Sequence, residues 1–214
     1  MIIPVKDLEH SKSRLSSCLS PEERRHLTLA MFKDVLNSAN ESNIEEVVAI
    51  SNDHLVLKTA KDFGAKTLEE KEQRGINYAI QNGIDYCVKK GANSILINPA
   101  DMPLIKRSDL NLIIGLNKSP GVVLVPSHRF DGTNIMMLNP PNAIPVRYGM
   151  NSPRFHLREA LVKGIYPKVL NIPNASLDID SPQDLFYISK RDLNAYTKEF
   201  MLESEILPRL AYYL

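Results

Sequence analysis

Cysteine is scarce in this chain, glycine-rich signatures are missing, and neither sign of charge dominates. The 214 residues include two cysteines, Cys18 and Cys87, with no metal-type spacing and too few for a framework of bridges, which points to a reducing cytoplasm. The formal net charge is only +1 and lysine and arginine form no stripe, so a nucleic-acid partner is excluded on electrostatic grounds. Nowhere do about 18 apolar residues follow one another, and the apolar start at residues 1–5 is too short for a secretory leader, so no membrane partner is expected. Neither a Gly-x-x-x-x-Gly-Lys nor a Gly-x-Gly-x-x-Gly pattern follows that first apolar run, which argues against a P-loop or a dinucleotide fold. No serine or cysteine has the partners that nucleophilic catalysis needs. A covalent intermediate is thereby disfavoured.

What is present is an ordinary globular composition, 43% hydrophobic and 24% charged, long enough for one domain spanning residues 1–214. Short apolar runs at 1–5, 44–50, 65–68, 94–98, 122–126 and 166–172 read as strands. Helical segments alternate with them at 20–39, 52–63, 75–89, 108–116 and 152–163. Ser20-Pro21-Glu22-Glu23 carries a capping box with proline at the first helical position, and Gly64 suits a helix stop. This alternation predicts a three-layer α/β domain with a mostly parallel sheet. Between 127 and 153 the pattern loosens around an apolar run at 135–138, which reads as a substrate-shaping insertion. The tail, 192–214, has a helical pattern but ends in exposed-looking Leu210, Tyr212, Tyr213 and Leu214. It is expected to pack on its own core or on a second copy, as in a homodimer.

Charge is concentrated where strands end. Asp101 stands between Pro99 and Pro103 just past the run at 94–98, and the carboxyl edge of an open α/β sheet is where ligands bind. Asp178 and Asp180 flank Ile179, so in extended backbone both carboxylates face one side while Ile179 turns to the core. Together the three aspartates make an oxygen-rich set suited to Mg²⁺; apart, each is an ordinary turn or capping residue. Lys6, Lys12 and Arg14 lie in a loop after the first strand that either binds an anion or is simply solvated. Gly149 precedes a helix start at Asn151-Ser152-Pro153, a second anion site or a plain N-cap. His156 and Arg158, one turn on, can equally be surface residues.

In their order, Ile3-Pro4-Val5-Lys6, Lys12-Ser13-Arg14-Leu15, Gly75-Ile76-Asn77, Asp101-Met102-Pro103-Leu104, Asp131-Gly132-Thr133-Asn134, Tyr148-Gly149, Ser152, His156 and Asp178-Ile179-Asp180 resemble the 2-phospho-L-lactate guanylyltransferase family of deazaflavin coenzyme biosynthesis. The resemblance covers most of the first 190 residues. Ser11, Asn151 and Pro153 depart from the family's usual alanine, glycine and aromatic residue. It implies a glycosyltransferase-A-like nucleotidyltransferase that joins GTP to 2-phospholactate or phosphoenolpyruvate and releases pyrophosphate. It also implies that Asp101, Asp178 and Asp180 hold Mg²⁺, with Lys12 among the catalytic groups. Lys6, Lys12 and Arg14 would cradle the GTP phosphates, Gly75 and Asn77 would lie near the base, and Thr133, Gly149 and Ser152 would bind the phospho-acid. Rival readings are a nucleotidyltransferase for a sugar phosphate or a molybdenum cofactor, a glycosyltransferase, and a non-catalytic nucleotide sensor.

Overall fold

The computed structural model describes residues 1–72 and 74–210. Its centre is one seven-stranded sheet made of β1 (Ile2–Pro4), β2 (Val48–Ser51), β3 (Lys66–Glu69), β4 (Ile95–Ile97), β5 (Gly121–Pro126), β6 (Thr133–Asn139) and β7 (Lys168–Val169), in the order β3-β2-β1-β4-β6-β5-β7. Only β6 runs antiparallel to its neighbours; the remaining pairs are parallel. Parallel pairs need crossovers, supplied here by α1 (Pro21–Asn40), α2 (His54–Asp62), α3 (Ile76–Lys89), α4 (Arg107–Gly115) and α5 (Ser152–Val162). Alternate side chains of each central strand enter opposite cores. Ile3, Ala49, Leu96 and Met137 pack on one face, whereas Ile2, Val48, Ile97 and Met136 pack on the other. Both faces are dry, which is why these strands read as unbroken apolar runs. Gly83 lets α3 sit close, since a Cβ there would stand 2.6 Å from Ile50 Cδ1.

The three-layer, mostly parallel expectation is met, with three corrections. The run 135–138 is not part of an insertion: β6 is a central strand wedged between β4 and β5. The strand foreseen at 44–50 starts only at Val48, because residues 41–43 turn and Glu45 and Glu46 face solvent. The strand foreseen at 166–172 shrinks to Lys168–Val169, which has a single neighbour, β5.

A third core gathers the chain's end. α6 (Pro182–Ser189), α7 (Ala195–Glu203) and α8 (Ile206–Leu210) contribute Leu185, Phe200, Met201 and Ile206 to a cluster with Leu15, Leu27, Met31 and Ile179. Asp34 on α1 fixes the start of α7 by accepting the Tyr196 and Thr197 N–H groups at 3.0 and 2.8 Å. Leu210, exposed-looking in the sequence, is fully buried in this cluster, so the described part of the tail packs on the chain's own core. The expectation for Tyr212, Tyr213 and Leu214 lies outside the described residues. No helix among the described residues is long and apolar enough to cross a membrane.

Candidate active site

A cleft of about 600 Å³ opens at the carboxyl edge of β1 and β4, floored by Pro99, Ala100 and Asp101. Ile179 decides what stands opposite. Its side chain is fully buried in the third core, and its N–H donates to the Asp101 carbonyl at 3.3 Å, so Asp178 and Asp180 on either side face the cleft. They do so from an irregular extended segment, not from the strand end the sequence suggested. Carboxylate oxygens of Asp101, Asp178 and Asp180 lie within 4.8 Å of one another, so the three aspartates converge. The segment is locked from behind by a capping box in which Asp184 accepts from the Asp180 and Ser181 N–H groups and from Ser181 Oγ.

Lys12 completes this wall. It sits in left-handed backbone (φ 50°), uncommon for a side chain this long and found where surrounding structure enforces it. The loop holding it is pinned by buried Leu8 and Leu15 and by hydrogen bonds from Leu8 N–H to Asp53 and from Ser11 Oγ to the Leu8 carbonyl. Lys12 Nζ donates to Asp101 Oδ2 at 2.6 Å and to Asp180 Oδ1 at 3.1 Å, 89 and 168 residues away in sequence. Burial works against its charge, yet the two carboxylates hold its pKa above the ordinary lysine value. Arg14, mostly exposed, reaches Asp180 at 3.3 Å, and Lys6 lines the same cleft.

The aspartates do not share this compensation evenly. Burial raises the Asp180 carboxyl, but Lys12, Arg14 and Lys6 overcome that and hold it below its usual range. Among the described residues Asp178 pairs with no cation, and its carboxylate accepts from the Asn134 amide at 3.4 Å. Burial, with Asp101 and Asp180 nearby, pushes its pKa up to about 6. A buried carboxylate with two others beside it is short of positive charge, and a hard divalent cation fits that deficit.

The facing wall is neutral. Thr133 N–H donates to Ser152 Oγ at 2.9 Å, and Ser152 Oγ donates to Thr133 Oγ1 at 3.0 Å. His156, fully buried rather than at the surface, accepts the Arg147 N–H at Nε2 (3.0 Å), so its proton sits on Nδ1 and is donated to Thr133 Oγ1 at 3.1 Å. Burial drives the pKa of His156 down to about 4. With both neighbours donating to Thr133 Oγ1, its own proton is left for the cleft that Thr133 lines. Ser152 stands one layer behind. Arg158 is exposed, pairing with adjacent Glu159 and lying over the Phe155 ring. Gly149 (φ 133°) lines the cleft, and the turn before it is clamped by Asn77, whose amide accepts the Tyr148 N–H (2.6 Å) and donates to the Tyr148 carbonyl (3.0 Å). Asn77 was expected near a nucleotide base; its carboxamide is spent on positioning this loop. Gly75 lines an adjoining chamber of about 330 Å³.

His156, Asn134 and Asp184 were not singled out as working parts by composition or spacing. The family motifs carried Asn134 and His156 without a stated role, and the Ser181 to Asp184 capping box is the local signal that points to Asp184. A broader, more open hollow of about 790 Å³ beside Cys18 and Arg209 brings no carboxylate cluster together, since its Glu23 is paired with Arg209.

The fold, a mostly parallel sheet between two layers of helices, is of the glycosyltransferase-A-like type. Solved structures match it: a nucleotidyl transferase from Methanothermobacter thermautotrophicus (TM-score 0.64, 13% identity, 95% of this chain and 99% of that one), and a Desulfovibrio desulfuricans protein proposed to be a nucleotide-diphospho-sugar transferase (TM-score 0.78, 13% identity, 97% and 95%). The particular family follows from sequence. The guanylyl transferase CofC-like family matches residues 1–207, and the chain belongs to it. Its relatives include a phosphoenolpyruvate guanylyltransferase of Rubrobacter xylanophilus, 36% identical across 86% of this chain and 90% of the relative. A 2-phospho-L-lactate guanylyltransferase of M. thermautotrophicus is 34% identical (94% and 88%). A 3-phospho-D-glycerate guanylyltransferase of Colwellia psychrerythraea is 33% identical (86% and 88%).

Proposed function

We propose that this enzyme transfers GMP from GTP to a small phospho-acid, 2-phospho-L-lactate or phosphoenolpyruvate, and releases pyrophosphate. The observation that carries this reading is the convergence of Asp101, Asp178 and Asp180 with Lys12 on one wall of a cleft whose other wall offers the Thr133 hydroxyl. An acceptor phosphate has its second pKa near ~6, so its attacking oxygen is already ionised at neutral pH. That oxygen bonds to the α-phosphorus of GTP, the bond to the bridging oxygen breaks, and the electron pair leaves with pyrophosphate. No side-chain base is required, and His156 is buried and engaged with Thr133 and Arg147. Positioning and charge neutralisation supply the catalysis.

Asp101, Asp178 and Asp180 would hold Mg²⁺, which when bound supplies positive charge against the phosphate oxygens. Lys12, buried and held at the cleft floor, keeps its charge where negative charge grows on the departing phosphates. Lys6 and Arg14 extend that field toward solvent. The Thr133 O–H, aimed by Ser152 and His156, donates to the acceptor phosphate beside Gly149. Purified protein incubated with Mg²⁺, each of the four nucleoside triphosphates, and 2-phospholactate, phosphoenolpyruvate or 3-phosphoglycerate tests this. Pyrophosphate release is expected with GTP and one of the three acids; silence in every combination would sink the proposal.

A further inference from the structure

Beside the metal-binding wall, the chamber of about 330 Å³ opens off the main cleft and shares Pro4, Val5, Lys6, His10 and Ile76 with it. Its far wall carries Glu70, the residue that follows β3. The backbone there is fixed by the Glu70 N–H, which donates to the Ser51 carbonyl at 3.0 Å. Its side chain is the anomaly: Glu70 Oε1 is buried and has no hydrogen-bond partner among the described residues. Burial raises the carboxyl pKa. Leaving a buried acceptor unpaired costs stability, so such a group is retained where a ligand pairs it. Gly75 supplies the rim, in a backbone conformation (φ 89°) that leaves open space where a side chain would stand.

We propose that Glu70 reads the base of the nucleotide and is the residue that selects guanine. The proposal rests on the guanylyl-transfer reading and deepens it. A chamber of this volume takes a purine nucleoside and abuts the cleft where the phosphates lie. Only guanine presents two adjacent donors on one edge, N1–H and the 2-amino group, which a carboxylate accepts side by side. Adenine turns an acceptor, N1, toward the same carboxylate, and the pyrimidines offer one donor each. A polar group left unpaired by the wrong base is what rejects it.

The test compares wild type, Glu70→Gln and Glu70→Ala in pyrophosphate release with GTP, ITP and ATP, alongside calorimetric binding of GDP and IDP with Mg²⁺. ITP lacks only the 2-amino group. The expected result is a fall in kcat/KM for GTP of about tenfold to a hundredfold in both variants, with the GTP-to-ITP preference collapsing toward unity. The KM for the phospho-acid should stay as in wild type, and circular dichroism should show both variants folded. If either folded variant keeps the wild-type preference for GTP over ITP, in turnover or in GDP over IDP binding, Glu70 does not read the base. Were wild type to bind GDP over IDP yet release no pyrophosphate, guanylyl transfer would fail. The binding comparison across the variants would still decide the role of Glu70.

Discussion

The two walls of the cleft are built on opposite principles. The aspartate wall is charged and partly exposed, with Asp101 and Asp180 exposed at 27% and 44% and one buried lysine paired to two of the three carboxylates. The threonine wall is neutral and dry: Thr133, Ser152 and His156 are buried and satisfy one another. Folding completes the second wall, whereas it leaves the first short of positive charge. Polar groups in the dry wall cannot move without losing bonds they cannot replace, which suits aiming a hydroxyl. Charges in the wet wall can exchange partners cheaply, which suits ligands that come and go.

The largest effect should come from the wet wall. Asp101→Asn removes one of the three carboxylates and the 2.6 Å partner of Lys12. Pyrophosphate release should drop by at least about 10³-fold, the scale of losing a principal electrostatic group at a phosphoryl site, with the fold retained. A variant working within tenfold of wild type would remove Asp101 from the chemistry. Ser152→Ala attacks the dry wall and should give a mixed result. It orphans the Thr133 N–H, costing about 1–3 kcal/mol of stability, and frees the Thr133 hydroxyl from its aim. The acceptor KM should rise about tenfold while the KM for GTP holds. If only the melting temperature moves, the threonine wall is scaffolding.

How legible the molecule is in its sequence also differs between the two walls. Local chemistry came through: the Ser20 to Glu23 capping box, the stop at Gly64, and the alternation that places Ile179 inward between Asp178 and Asp180 are all in the structure. The family motifs named the aspartates and Lys12. Spacing alone could not show that Lys12 pairs across 89 and 168 residues, because such contacts are set by the order of strands. The direction of β6 was hidden for a related reason. Its residues are buried on both faces, and a continuous apolar run says nothing of parallel or antiparallel pairing. His156 stayed ambiguous because Arg154 and Arg158 two positions to either side are exposed, and only the fold reveals that its ring turns inward to Thr133.

The smallest predicted effect separates the walls most cleanly, because both titrate in one pH window with opposite signs. Asp178 has a native pKa of about 6, above the ordinary carboxylate value near ~3.9. The native state therefore binds its proton more tightly, and the stability this gives is lost as pH rises through 6. His156 has a native pKa of about 4, below the usual imidazole value near ~6.5. Its contribution is full above that value and is lost as pH falls toward 4. Without metal the two slopes oppose each other between pH 4 and 6.5. Mg²⁺ should hold Asp178 ionised and strip out its slope, so the rise of melting temperature with pH that His156 contributes should emerge. The increment on adding Mg²⁺ should grow as pH climbs through 6, reaching a few degrees, about 2–4 °C for each kcal/mol at this chain length. Asp178→Asn, melted without metal, should show the same rising profile and almost no response to Mg²⁺. Equal Mg²⁺ increments at pH 5 and pH 7.5 would show that protons and metal do not compete at Asp178, and the contrast between an unfinished wall and a finished one would fail there.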